Sequence, residues 1–157
     1  MTRLFTVLLL LSGCSQLTWA ASGDTACLNA VRQKRFVFHA EWATSYSGDR
    51  YQLSPPYTLL LTEDSVSAYL PYFGRMYTIP TPEELRFMSI QISSKAFSYK
   101  LETGKRGRQN ITVDLKDQRD VRSLSFTNTK SCSCTLWVRS TARDLMIYEG
   151  TIEELPQ

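Results

Sequence analysis

The sequence predicts a mainly β protein of the α+β class. We expect an antiparallel β-meander, curled into a single sheet or half-barrel, with one short N-terminal helix. Beyond residue 35, short runs of alternating apolar and polar residues are separated by turn residues, and no helical segment intervenes. The apolar residues of each run share one face, as in a sheet that is covered on one side. With 157 residues, 43% of them hydrophobic, the chain suits one globular domain over residues 21–157.

The helix is predicted in the segment GDTACLNAVRQKR. Asp24 or Thr25 is a suitable N-cap. Cys27, Ala30 and Val31 then follow at helical spacing and form a short stripe of small apolar residues. A single short helix with this stripe can cover the apolar face of the sheet.

Alternation predicts the strands that follow. In the first of them, Phe36, Phe38 and Trp42 are expected on one face, with His39 and Glu41 on the opposite face. Strands are expected within residues 35–44, 57–64, 65–70, 86–94, 97–103, 110–116, 121–128, 131–140 and 144–152.

Residues 1–20 are expected to be a signal peptide, because a basic residue precedes an apolar run too short to remain as a membrane helix. LSGC at 11–14 matches the bacterial lipobox, in which the cysteine, here Cys14, becomes lipidated. TWA at 18–20 is a competing site that would release a free periplasmic protein beginning at Ala21. The lipobox is the more specific pattern, and Cys14 is not followed by Asp. We therefore favour an exported lipoprotein on the periplasmic side of the outer membrane.

The charge of the chain gives little attraction to nucleic acid. The net charge of +3 becomes +2 when Arg3 leaves with the signal peptide. Lys105, Arg106 and Arg108 are expected to form a solvated hairpin tip, since no helix N-terminus follows to supply amide donors to a phosphate. Membrane contact is therefore expected through the lipid anchor only.

Three cysteines remain after the signal peptide, in a compartment where disulfides persist. Cys132 and Cys134 point the same way on one strand, about 7 Å apart, which is too far for a bond between them. Both share the apolar face of that strand, and Cys27 lies on the helix stripe that should cover this face. The sequence predicts a disulfide from Cys27 to either Cys132 or Cys134.

Catalytic and metal-binding patterns are weak. His39 and Glu41 could orient a general base, but both are expected to be exposed and no nucleophile signature accompanies them. The three cysteines and the one histidine, on opposite faces, do not form a metal site, and no cofactor fingerprint is present. We predict a protein without a cofactor that is not an enzyme, with a small hydrolase or thiol enzyme as the weaker alternative.

The stretch LPYFGRMY at residues 70–77 is the candidate binding site. Pro71 and Gly74 suit a bend or bulge at the edge of a sheet, and tyrosine combines an apolar ring with a polar tip. An aromatic rim that holds an envelope protein, a peptide or a glycan is predicted from Tyr69, Tyr72, Phe73, Arg75 and Tyr77. In the alternative for this stretch, Leu70, Phe73 and Tyr77 plug the end of the sheet and Arg75 pairs with a carboxylate. The alternative function is a purely structural or assembly role, which predicts a large apolar patch and no pocket.

Three motifs carry a resemblance to a known family: FVFHAE at 36–41, LPYFGRMY at 70–77, and SxxRxxxIYxGxI from Ser140 to Ile152. Together they resemble a family of secreted or lipid-anchored bacterial proteins known as domain of unknown function 4251. The resemblance covers essentially the whole chain after the signal peptide. It implies an envelope location and no assigned activity, so it supplies no catalytic residues.

Overall fold

The structure, a computed structural model, describes residues 23–54, 57–77 and 89–155. It contains helix α1 (Gly23–Arg32) and strands β1 (Phe36–Thr44), β2 (Arg50–Gln52), β3 (Thr58–Leu61), β4 (Val66–Pro71), β5 (Ser89–Ser94), β6 (Phe97–Thr103), β7 (Gln109–Leu115), β8 (Val121–Asn128), β9 (Ser133–Ser140) and β10 (Met146–Glu154). A short 3-10 turn, Lys105–Gly107, joins β6 to β7. The predicted signal peptide, with its lipobox and Cys14, lies outside the described residues.

All strands belong to one antiparallel sheet, in the order β5-β4-β3-β1-β10-β9-β8-β7-β6, with β2 paired to β1. The predicted meander with one short N-terminal helix is confirmed, and the sheet is a nearly closed half-barrel. Within the described segments, no helix is both long and apolar enough to cross a membrane.

The carboxylate of Asp117 stabilises the turn between β5 and β6 by hydrogen bonds. The edge strands β5 and β6 follow each other in the chain and are joined by a tight turn. Asp117 accepts hydrogen bonds from the Ser94 hydroxyl and from the backbone N–H groups of Lys95 (2.8 Å) and Ala96 (3.2 Å). These donors, the Ser94 hydroxyl first, hold the pKa of the Asp117 carboxyl below its ordinary value. The turn is therefore tied to the far end of β7.

The core fills the inside of the sheet beneath α1. Phe36 and Phe38 contact the ring of Phe126 edge-on, with centroids 5.7 and 6.1 Å apart. The helix packs on β10 and β1, and the Tyr99 hydroxyl donates to the Val31 carbonyl oxygen at 2.7 Å. The core therefore draws on strands from both halves of the sheet.

The expected orientation of Trp42 is wrong, and a β-bulge is the reason. The register between β1 and β10 shifts between Ala40 and Trp42, which leaves Glu41 as the extra residue. Ala43 is therefore buried in place of Trp42. The Trp42 ring points outward, where the guanidinium of Arg50 lies 4.4 Å from its centroid.

Gly150 lies opposite this bulge, and the bulge requires it to be glycine. A Cβ atom at Gly150 would lie 1.8 Å from the backbone oxygen of His39 and 3.2 Å from the Cα of Ala40. We expect Gly150→Ala to lower the free energy of unfolding by about 2–3 kcal/mol, because the backbone of β1 must move. Urea unfolding measures this loss. Gly104→Ala is the control, since its Cβ would meet its nearest neighbour at an ordinary 3.6 Å; an equal loss in both variants would contradict the prediction.

The predicted disulfide is present, and it joins Cys27 to Cys132 across 105 residues of chain. The expectation that Cys132 shares a strand face with Cys134 is wrong. Cys132 precedes β9 and has a left-handed backbone, with φ of 61°, so its side chain turns toward α1. Cys134 lies inside the sheet as a buried free thiol.

Candidate functional site

A cleft of about 440 Å³ opens at the end of the half-barrel where β1 ends and β10 begins. We call it the aromatic cleft. Its walls come from residues 45–47 after β1, residues 73–75 and Tyr77 after β4, and Asp144 before β10. Tyr46 and Tyr77 are 75% and 68% exposed, so their rings are accessible to a ligand.

Tyr72 lies beneath the cleft and fixes the chain that forms it. Its ring is buried, and its hydroxyl donates to the Arg75 carbonyl oxygen and accepts the backbone N–H of Asp144 (2.8 Å). Burial is the main reason that the pKa of the Tyr72 phenol is raised. Tyr72 therefore stays neutral and can serve as both donor and acceptor.

Asp144 holds in place the wall of the cleft that Arg75 and Tyr77 form. Its carboxylate accepts the backbone N–H of Arg75 at 3.1 Å and the hydroxyl of Tyr77, while its own N–H donates to the Arg75 carbonyl oxygen at 3.1 Å. The Tyr77 hydroxyl, as the largest cause, holds the pKa of the Asp144 carboxyl below its ordinary value. The same hydrogen bond raises the pKa of the Tyr77 phenol. The Asp144 carboxylate is therefore already occupied by protein donors.

Arg143 ties this region to the sheet. Its Nε lies 2.8 Å from Asp120 Oδ2, and Nη1 donates to the Ser89 carbonyl oxygen at 2.9 Å. The guanidinium also lies 5.3 Å from the centroid of the Tyr72 ring. Nearby, the Tyr148 hydroxyl donates to the Pro71 carbonyl oxygen at 2.7 Å. The motifs LPYFGRMY and SxxRxxxIYxGxI therefore form one cluster in space.

Phe73 lines the cleft, and its ring is supported from behind by Tyr51, which does not line the cleft. The two rings are stacked, with centroids 4.2 Å apart and planes inclined by 17°. Phe73 is 38% exposed and Tyr51 37% exposed, so each ring is held by the other and still accessible. A ring held in this way loses little further conformational freedom when it binds a ligand.

The predicted rim is brought together only in part. Phe73, Arg75 and Tyr77 line the cleft, while Tyr72 lies beneath it with 1% of its surface exposed. Tyr69 does not line the cleft and is stacked instead on Tyr57, with ring centroids 6.2 Å apart. Both departures follow from position, because Tyr69 lies within β4 and Tyr72 directly follows that strand.

The alternative arrangement, in which this stretch only plugs the sheet, holds in part. Leu70 is fully buried in the core, but Phe73 and Tyr77 stay exposed. Arg75 makes no ion pair with a carboxylate in the described part of the chain. Its backbone is fixed by Tyr72 and Asp144, and its guanidinium is left for other contacts.

Sequence reasoning missed several residues of the cleft. Ser45, Tyr46 and Ser47 belong to the turn between β1 and β2, where the two serine hydroxyls lie 2.8 Å apart. A tyrosine inside a polar turn is an available signal for Tyr46. Asp144 gives no such signal, because its role depends on a hydrogen bond to Tyr77, 67 residues away in the chain.

The candidate catalytic residues lie away from this cleft. His39 Nε2 is 3.3 Å from Glu153 Oε2, and its expected partner Glu41 lies in the bulge. Burial raises the pKa of the Cys134 thiol, which disfavours the thiolate that a nucleophile requires. No group of three side chains able to hold a metal ion occurs among the described residues.

The family model described as Domain of unknown function (DUF4251) matches residues 21–152. The chain belongs to this family. The chain is also similar to a solved structure described as a DUF4251 family protein from Bacteroides eggerthii DSM 20697. That similarity has a TM-score of 0.66 at 14% identity and covers 84% of this chain and 87% of the other, which shows a shared fold. None of the curated proteins matches the sequence significantly.

Proposed function

We propose that this DUF4251 protein is an exported envelope module that binds a glycan in the aromatic cleft and catalyses no reaction. The observation that carries the proposal is the cleft itself. It combines accessible aromatic rings, a guanidinium that makes no ion pair with a carboxylate of the described residues, and the exposed Ser47, at one end of the half-barrel. Ligand sites are typically concave and largely apolar, with a few polar groups that fix orientation.

The chemistry of the lining favours a sugar over an extended peptide. The faces of Tyr46, Phe73 and Tyr77 offer apolar surface against which the C–H face of a pyranose ring can pack. Arg75 supplies a guanidinium to the sugar hydroxyls, and the exposed Ser47, whose hydroxyl donates to Asp49 Oδ2 at 2.7 Å, supplies an accepting oxygen. A peptide that pairs as an added strand needs an open sheet edge. The edge strands β5 and β6 do not contribute to this cleft.

The proposal includes a location. We propose that Cys14 is lipidated and anchors the protein to the outer membrane with the domain facing the periplasm, and that cleavage after Ala20 is the alternative. The intact mass of the protein from its own membrane fraction decides between them. Added acyl chains on an N-terminal Cys14 support the anchor, and a mass that begins at Ala21 replaces it with a free periplasmic protein.

We expect Phe73→Ala and Tyr77→Ala each to weaken glycan binding at least tenfold. Each substitution removes an apolar face that can pack against the sugar, and contacts of this kind contribute about 1.4 kcal/mol or more. The probes are N-acetylglucosamine oligosaccharides and soluble peptidoglycan fragments. Isothermal titration calorimetry measures affinity, and backbone NMR shifts report which residues respond.

Tyr69→Ala is the matched control, because Tyr69 is an exposed tyrosine that directly precedes the motif and lies outside the cleft. It should leave affinity unchanged. If the probes bind and Tyr69→Ala weakens them as much as Tyr77→Ala does, the cleft is not the site. If neither probe nor a wider array of envelope glycans shifts the resonances of the cleft residues, the glycan proposal fails and a structural or assembly role takes its place.

A further inference from the structure

A strongly basic surface lies at the opposite end of the half-barrel from the aromatic cleft. The turn between β6 and β7 presents three exposed basic side chains, those of Lys105, Arg106 and Arg108. The turn is tight, since the N–H of Gly104 donates to the Arg108 carbonyl oxygen at 2.7 Å. Arg106 itself has a left-handed backbone, with φ of 60°.

The fold adds a fourth cation that the sequence does not place there. Lys130 lies in the turn between β8 and β9, and its side chain crosses Gly107. A Cβ atom at Gly107 would lie 2.5 Å from Lys130 Cε, and Gly107 also has a positive φ of 74°. Glycine therefore lets the two turns pack together. We call Lys105, Arg106, Arg108 and Lys130 the basic surface.

The basic surface has no acidic partner among the described residues, since none of its four residues makes an ion pair with a carboxylate there. The acid closest in sequence, Glu102, pairs with Lys100 at 2.6 Å. Four exposed cations with no acidic partner form a local positive field that attracts multivalent anionic surfaces.

The start of α1 is fixed beside the basic surface. Cys27 in the helix is bonded to Cys132, two residues beyond Lys130. One residue further along the helix, the Leu28 carbonyl oxygen accepts a hydrogen bond from the Gln109 side chain, at the start of β7. The helix therefore enters the fold at the same end as both basic turns.

We infer that the basic surface binds the anionic headgroups of the membrane in which Cys14 is anchored. Only eight residues separate Cys14 from Gly23, where α1 begins, and such a segment spans at most about 30 Å. Basic residues held near an anionic membrane surface add an electrostatic attraction to whatever a lipid anchor contributes. The basic surface adds a second contact to the anchor, where the sequence predicted only one. The membrane orientation rests on the proposed lipid anchor, while the headgroup contact does not require it.

The contact fixes which way the aromatic cleft faces. Cys132 lies beside Ile152 near the end of β10, and the cleft residue Asp144 lies just before the start of that strand. Strands β1 and β10 have nine residues each and span roughly 30 Å. A membrane bound at the basic surface therefore leaves the cleft directed away from the bilayer, toward soluble or cell-wall glycans.

Vesicle sedimentation tests this inference on the chain that begins at Ala21, which contains every described residue and carries no acyl chain. The probes are vesicles of phosphatidylcholine alone and of phosphatidylcholine mixed with phosphatidylglycerol. We expect binding only to the anionic vesicles, and we expect added salt to weaken it. Each lost cation should weaken binding about fivefold, so glutamine at all four positions of the basic surface should abolish measurable sedimentation.

The matched control replaces four exposed basic residues elsewhere, Lys95, Lys116, Arg119 and Arg122, by glutamine, which changes the net charge equally. It should retain most of the binding. Equal losses in both variants would show that only net charge matters and would overturn the inference. Displacement by pyrophosphate, at concentrations too low to act through ionic strength, would identify a soluble phosphate as the ligand and would also overturn it. If the intact mass instead begins at Ala21, the anchor fails while this vesicle result stands.

Discussion

Removing the disulfide with the double substitution Cys27→Ala/Cys132→Ala is expected to lower the free energy of unfolding by about 4–5 kcal/mol. The bond closes 105 residues of chain, and the loss of loop-closure entropy in the unfolded state grows with that length. Such a loss is a large share of the 5–15 kcal/mol that stabilises most domains. Alanine is preferred over serine because Cys27 is buried and a hydroxyl there would lack a partner. Urea unfolding at neutral pH measures the change.

Cys134→Ala is the control for this experiment. Cys134 is equally buried but forms no disulfide, so its replacement leaves a small cavity and removes one weak thiol hydrogen bond, with an expected loss of about 1 kcal/mol. Reduced wild-type protein should match the double variant in stability, and its mass should rise by two hydrogens. A double variant that unfolds at the same urea concentration as the oxidised wild type would contradict a stabilising role for the bond.

The pairing of Cys27 also shows how much of the fold could be predicted from the sequence. Helical spacing and alternation identify the faces on which Cys27 and Cys134 lie, and the predicted absence of a bond between Cys132 and Cys134 holds although alternation misplaces Cys132. The choice of Cys132 depends on the positive φ at that residue. Alternation carries no signal for a residue that leaves the strand geometry, so the strand appeared two residues longer than it is.

The same limit of the alternation pattern explains why Trp42 was assigned to the wrong face of β1. A strict period of two assigns it to the core, and the bulge at Glu41 reverses every later residue of β1. The three-residue strand β2 was not predicted, since all of its residues are exposed and none alternates. By contrast, most strands of the half-barrel have one buried face, and the pattern of apolar residues predicts these strands well.

Only the residues of the candidate site that lie in the motif LPYFGRMY were predictable from the sequence. The octamer supplies Phe73, Arg75 and Tyr77, and its aromatic content made it conspicuous. The opposite wall, with Tyr46 and Asp144, comes from segments that approach because β1 pairs with β10. Strand order and register are long-range properties, and a single sequence does not state them.

Arg143→Met is expected to lower the free energy of unfolding by about 3–4 kcal/mol. Methionine keeps the length and apolar stem of the side chain but removes the ion pair with Asp120, whose carboxylate keeps only the Ser140 hydroxyl, and leaves the Ser89 carbonyl oxygen without its guanidinium donor. Arg143 is 11% exposed and Asp120 33% exposed, so water replaces the donor only in part. Urea unfolding measures the loss, and Arg139→Met, at an exposed arginine of β9, should change stability by less than about 0.5 kcal/mol.

The pair can be separated from the packing of the arginine by a double-mutant cycle. Asp120→Asn removes the charge and keeps the shape, and its cost should largely disappear when Arg143 is already methionine. Additive losses would mean that the two residues contribute independently, and the ion pair would then not be the source of the effect. Arg143→Lys should recover only part of the stability, because a single ammonium cannot reproduce the forked contact with Asp120 and Ser89.

Loss of Arg143 should also disturb the geometry of the aromatic cleft. Asp144 follows Arg143 directly, and its carboxylate and N–H hold the backbone of Arg75 and the hydroxyl of Tyr77. Arg143 thus acts as a positioning residue. It touches no ligand, but it fixes Asp144, which in turn holds Arg75 and Tyr77 in the wall of the cleft. We expect Arg143→Met to weaken glycan binding under conditions where the variant is still folded, and to broaden the Tyr77 resonances in NMR spectra. Unchanged affinity together with reduced stability would restrict Arg143 to the fold and separate the cleft from the cluster beneath it.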